Sequence, residues 1–258
     1  ENIDSWINWC DVNDNNDKVV LSTSAYEIRP DMKYRDTMYL IDKKTGQLIN
    51  SIEVPPVAPF ENTVMRGSPN FSEDGEFLAA ACSDGRGMLF DAAGKALWQR
   101  ELSKPAQIDN VWINASGRDG FAAEAGVIFT TINTFNRENW QLPTPVEHPS
   151  NNSMFVFNYD GTFKYKYRAL GTMEQIDFSN NMAACAVGRN VRTHNYAAHG
   201  AVVLDLNDGT ELNFFHTEGP LQAVAISSNG KKIAGIEAPA VTPEGKIIGA
   251  YRLHIWQR

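Results

Sequence analysis

Long apolar runs are missing from this chain. No stretch approaches the roughly 18 consecutive apolar residues of a membrane helix, so no such span is expected. Apolar spacing with a 3.6-residue period is also missing at any useful length, which excludes a helical repeat. Cysteine is scarce. Cys10, Cys82 and Cys185 stand far apart, form no CxxC pair and are odd in number, which argues against a disulfide framework. Cys82 in AAACS and Cys185 in MAACA read as small apolar core residues. Positive charge is short as well. The 23 Lys and Arg face 31 Asp and Glu, a net charge of −8, so a general nucleic-acid binder is not expected. The first residue is Glu1, and no signal peptide is expected within the stretch that follows it. A processed chain or part of a longer one is expected from that start, with a lean towards a periplasmic or extracellular compartment.

What the chain does have is a recurring unit. The stretch Phe71 to Leu102 reads FSEDGEFLAAACSDGRGMLFDAAGKALWQREL. Turn residues at Glu73-Asp74-Gly75, Ser83 to Gly87 and Ala92-Ala93-Gly94 separate apolar runs, the spacing of consecutive antiparallel strands. A lone meander leaves both faces uncovered and must stack on copies of itself. Two signals mark the copies. One is an apolar strand ending in a polar hairpin, at INWCDVNDNND, PNFSEDGEF, WINASGRDGF, IDFSNNMA and AISSNGKKI. The other is a large apolar residue followed by Asp, Asn or Gln, at Ile41-Asp42, Phe90-Asp91, Phe157-Asn158, Leu204-Asp205 and Trp256-Gln257. They alternate strictly, which selects an all-β propeller of about five four-stranded blades, in one domain or as part of a larger ring. The blades fall at roughly 1–54, 66–102, 108–170, 173–217 and 220–258.

The apolar-plus-Asp strand end resembles the Trp-Asp ending of WD40 repeats, and Trp256-Gln257 keeps the Trp without the Asp. The Gly-His dipeptide of true WD40 blades is absent. The segment MYLIDKKTGQLINSIEV is similar to blades of PQQ-like (quinoprotein-like) propellers. The resemblance implies a fold more than a function. The cofactor-stacking motifs of quinoproteins are not visible, so PQQ is not expected.

Four loops joining second and third strands are enlarged: 24–36, 131–153, 187–200 and 237–249. The opposite hairpins stay short. Long loops gathered on one face point to a site. That face carries Arg29, Arg35, Arg66, Arg86, Arg137, Arg189 and Arg192, seven of the twelve arginines, with Tyr26, Tyr34, Trp140 and Tyr196. Arginine forks and aromatics concentrate binding energy at protein interfaces. Ordinary solvated charge, balanced by Glu27, Asp31, Asp36, Glu138 and Glu147, is the competing reading.

Three constellations could carry chemistry. His194 and His199, with His148, have the residue type of a transition-metal site or of hydrogen-bonding histidines. Asp11, Asn13, Asn15 and Asp17 resemble the first half of a calcium loop of the kind that integrin-like propellers place in a first hairpin. Asn16 stands there in place of the usual glycine, and Val19 in place of an acidic ligand. A plain Asn-rich hairpin is the other reading. Glu124, in the small-residue stretch GFAAEAGVIF, reads as a buried strand carboxylate of the kind an acid catalyst uses, or as an arginine partner. No Ser/His/Asp set or phosphate-binding glycine loop accompanies it. The expected function is a non-catalytic binding or scaffold module for a protein partner or another domain of a longer chain, without a required cofactor. An enzyme or metal-dependent oxidoreductase on the same loop face is the alternative.

Overall fold

The computed structural model describes residues 6–24, 36–60, 63–108, 111–134, 148–188, 198–242 and 244–258. Among the described residues there is no α-helix, and 22 strands form antiparallel meanders. The chain divides into two compact units, Glu1–Phe163 and Lys164–Arg258.

In the first unit, β1 (Trp6–Asn13), β2 (Lys18–Ser24), β3 (Asp36–Asp42) and β4 (Leu48–Val54) make the first sheet in that order. The second sheet is β5 (Asn70–Phe71), β6 (Phe77–Ala81), β7 (Arg86–Asp91) and β8 (Ala96–Glu101). The third contains β9 (Ala106–Ile108), β10 (Val111–Ala123), β11 (Gly126–Thr134) and β12 (Ser153–Phe157). The division between units falls at the first residue of β13 (Phe163–Arg168).

The second sheet is apolar on both faces because both are covered. Ala80, Cys82, Met88 and Phe90 meet Val20, Met38 and Leu40 of the first sheet. Ala79, Ala81 and Leu89 meet Val127, Phe129 and Phe155 of the third. A doubly covered strand reads as a continuous apolar run rather than an alternating one. Sheets this close need small residues. A Cβ on Gly87 would lie 2.6 Å from the Phe129 ring. Trp98, stacked edge-on against Phe129 at 6.0 Å, closes the outer end of this layer and donates to Tyr159 O at 2.8 Å.

The apolar-plus-Asp signature has a local cause. Asp91 Oδ1 accepts from Ala93 N and Lys95 N, and Asp42 Oδ1 accepts from Lys44 N and Thr45 N. The aspartate therefore closes the turn between third and fourth strands. At the other end, Ser72 Oγ reaches Asp74 and accepts from Phe77 N. Ser227 does the same with Asn229 and Lys232 N.

One expected hairpin is absent. WINASGRDGF does not turn at Gly117 to Gly120 but continues as β10, with a register shift between those glycines. The reason is a close crossing. Added Cβ atoms would lie 2.5 Å from Cys82 O at Gly117 and 2.9 Å from the Ala79 backbone at Gly120. The turn falls later, at Glu124-Ala125.

In the second unit, β14 (Met173–Ser179), β15 (Met182–Val187), β16 (Gly200–Asp205) and β17 (Glu211–His216) form one sheet. The last sheet has three strands, β18 (Leu221–Ile226), β19 (Lys232–Glu237) and β22 (Arg252–Gln257). A small hairpin, β20 (Ala240–Val241) with β21 (Ile247–Ile248), sits between the last two. Ala184, Ala186 and Val203 pack against Leu221, Val224 and Ile233 between the two sheets. Cys82 and Cys185 are buried, whereas Cys10 is exposed.

Candidate functional site

A concavity lies in the second unit, on the enlarged loop that follows β19. Thr172 and Glu174 line it from the start of β14, Pro220 and Gln222 from the start of β18, and Pro239 to Val241 from the hairpin. It encloses about 590 Å³, within the range of small-ligand or peptide-side-chain pockets. Its walls are two prolines and small aliphatic groups, with one carboxylate and one amide among them. Val241, which lines it, and its strand partner Ile247 stand exposed, and so does Tyr251 just after the loop, by 84%.

Glu237 holds the back of this region. It ends β19 and is fully buried. Its Oε1 accepts from Gly219 N at 2.7 Å and from Ala250 N at 3.3 Å. Its Oε2 accepts from His254 Nε2 at 2.6 Å, with Arg252 Nη1 at 3.7 Å. Burial pushes the Glu237 carboxyl up, but the hydrogen bonds from His254, Gly219 and Ala250 and the Arg252 charge outweigh it and hold the group below its ordinary value. One carboxylate thus ties the link before β18 to the far end of the loop. A Cβ on Gly249 would meet Gly219 Cα at 2.5 Å, so the two backbones touch there. Glu237 was counted by sequence reasoning only as the first residue of a loop. A lone Glu closing an apolar strand was its one available signal.

The expected arginine and aromatic face is only partly in view. Arg29, Tyr34, Arg35, Trp140, Arg189, Arg192, Tyr196 and His194 lie outside the described residues. Arg66 is exposed, as a binding residue would be. Arg86 is not. Its guanidinium is buried, forks onto Asp84 at 2.6–3.0 Å, and donates to Pro55 O and Gln99 Oε1. It fastens the link after β4 to the second sheet, because a buried cation needs every donor satisfied.

Of the candidate metal histidines, His148 and His199 are among the described residues. His148 is buried; its Nδ1 accepts from Ser150 N at 3.0 Å and its Nε2 donates to Lys104 O at 2.9 Å. Both nitrogens are therefore committed to backbone. His199 is fully buried and donates from Nδ1 to Glu218 O at 3.1 Å. Among the described residues no group of three His, Cys, Asp or Glu side chains converges as metal ligands would.

The Asp11 to Asp17 hairpin is tied to neighbouring strands. Asp11 accepts from Phe71 N, and Asp17 pairs with Lys44. The Asn13 amide nitrogen donates to Ser72 O and Glu73 O, and that of Asn15 donates to Glu73 O. The asparagines clasp the hairpin to its counterpart in the second sheet. Glu124 stands exposed in the β10–β11 turn, so the burial its catalytic reading required is missing.

No protein-family model matches the chain, and no curated protein matches it. Solved structures do. The chain aligns over its full length with U3-55K at 10% identity and a TM-score of 0.61. It aligns equally with hydrazine synthase of Kuenenia stuttgartiensis at 10% identity and 0.60. Raptor of Chaetomium thermophilum matches 96% of it at 11% identity and 0.55. The chain spans 62% and 64% of the first two chains and 19% of the third. Stacked antiparallel meanders and this likeness together define a β-propeller.

Proposed function

We propose that this propeller is a non-catalytic binding module whose loop-bearing side receives a protein partner. The observation that carries the reading is the proline-walled concavity beside the hairpin β20–β21, with Val241 and its strand partner Ile247 exposed there and Tyr251 exposed just after the loop. Exposed apolar and aromatic groups around a preformed recess suit a protein segment, with the recess taking one anchor side chain.

The test is capture of a partner from the source organism by the parent chain, followed by titration with the double variant Val241→Asp, Tyr251→Ala. Binding weakened by about 2 kcal/mol or more, with an unchanged melting temperature, supports the reading. Equal binding by parent and variant would place the partner elsewhere.

A further inference from the structure

Two β-bulges supply polar groups to the recess. Pairing in β14 steps from Met173 opposite Val187 to Gln175 opposite Ala186, so Glu174 is the extra residue. Pairing in β18 steps from Leu221 opposite Glu237 to Ala223 opposite Ile236, so Gln222 is the extra residue there. A bulge takes a side chain out of the alternation of its strand and re-aims it. Both of these residues line the recess. A register shift also occurs in β1, around Asn8, so the bulge belongs to the repeat, whereas the carboxylate belongs to β14.

The fold makes room for that carboxylate. A Cβ on Gly188 would lie 2.6 Å from Glu174 Oε1, so the acid rests against backbone that bears no side chain. It is half-buried there. Among the described residues that line the recess, Glu174 alone carries a charge. The apolar walls are tied together as well. Ala238 N donates to Pro220 O at 3.0 Å, and Gly219 N donates to Glu237 Oε1 at 2.7 Å. The Pro220 wall and the Pro239 wall are thereby set before any ligand arrives, which lowers the cost of binding. Every one of these residues belongs to the second unit.

We propose that the recess takes the side chain of an arginine from a partner protein. The inference deepens the binding-module reading and rests on it. A carboxylate accepts two parallel donors from one guanidinium, and an amide oxygen such as that of Gln222 accepts a further one. The methylene stem of the arginine packs on proline and small aliphatic groups, as long cationic side chains do elsewhere. A guanidinium is also more weakly hydrated than an ammonium, so it enters a half-buried site at lower cost than lysine. The other ligand classes fit less well. An anion would meet Glu174 with like charge, and a purely apolar group would take the carboxylate from water and return no hydrogen bond. The net charge of −8 favours the approach of a basic segment.

Capped tripeptides test the assignment. Ala-Arg-Ala, acetylated and amidated at its ends, is titrated into the chain by ligand-observed NMR beside the same peptide with citrulline or norleucine in place of arginine. Citrulline keeps the shape of arginine and lacks its charge. The arginine peptide should bind at least about tenfold more tightly than either, and Glu174→Gln should remove most of that advantage with the melting temperature unchanged. Equal binding of the arginine and norleucine peptides overturns the proposal. So does an arginine advantage that survives Glu174→Gln. In both of those cases, loss of peptide binding in Val241→Asp would still uphold the recess as an anchor site. Binding of none of the three peptides overturns the proposal, and the captured partner then tests the recess alone.

Discussion

Strand β7 and strand β22 are each the third strand of a meander, yet β7 is buried from Arg86 to Phe90 whereas β22 exposes Arg252, Leu253, Ile255 and Gln257. Their compositions are similar. What differs is cover. β7 sends Leu89 into one core layer and Met88 and Phe90 into another. β22 sends Trp256 into a single layer and its remaining apolar groups into solvent. Strands of similar apolar content thus meet different cover.

Truncation should separate the two strands first. Phe90→Ala is expected to cost about 3–5 kcal/mol in urea unfolding, whereas Ile255→Ala should stay within about 0.5 kcal/mol. Equal losses would mean that the exposed face is already packed in solution. Close in size is Arg86→Met, which strands the buried Asp84 carboxylate and should destabilise by about 3 kcal/mol or more. Adding Asp84→Leu to that variant should recover much of the loss, because no unpaired charge then remains; no recovery would show that Arg86 acts through its Pro55 and Gln99 bonds instead.

A smaller effect distinguishes the last sheet by pH. Glu237 is held below its ordinary value in the folded chain, so its contribution is present above the unfolded glutamate value and is lost as pH falls through the folded one. Stability of the parent should therefore decline from about pH 4.3 downward, and Glu237→Gln should flatten part of that slope while lowering stability at neutral pH. An identical slope in the variant would refute the assignment. Smallest of all, Asn13→Ala should cost about 1 kcal/mol through the lost clasp to Ser72 and Glu73. Calcium and a chelator should leave the melting curve of the parent unmoved, and a rise with calcium would restore the ion-binding reading of that hairpin.

The blade pattern was legible because its signals are chemical necessities of each turn. Asp42 and Asp91 accept the backbone donors of the turn that follows them, so they recur wherever a third strand ends. The misread hairpin at Gly117 and Gly120 shows the limit. Glycine also serves where one backbone passes close to another, and only the neighbouring sheet tells the two uses apart. The site was legible in outline through the length of the loop 237–249, but not in its residues. Arg86 and Glu237 both carry charges that look solvent-bound in a string of letters, and both are buried because partners distant in sequence satisfy them.

Apart from the last, in which β22 follows the hairpin β20–β21, each of these sheets is drawn from strands that follow one another in the chain, while the clasp from Asn13 to Ser72 spans 59 residues. Local pairings close at little entropic cost, and the clasps between sheets must wait for two sheets to exist. Folding should then spread from sheet to sheet rather than arise everywhere at once. In native-state hydrogen exchange the amides of β22 should be the first of the strand amides to open, well before those of β7.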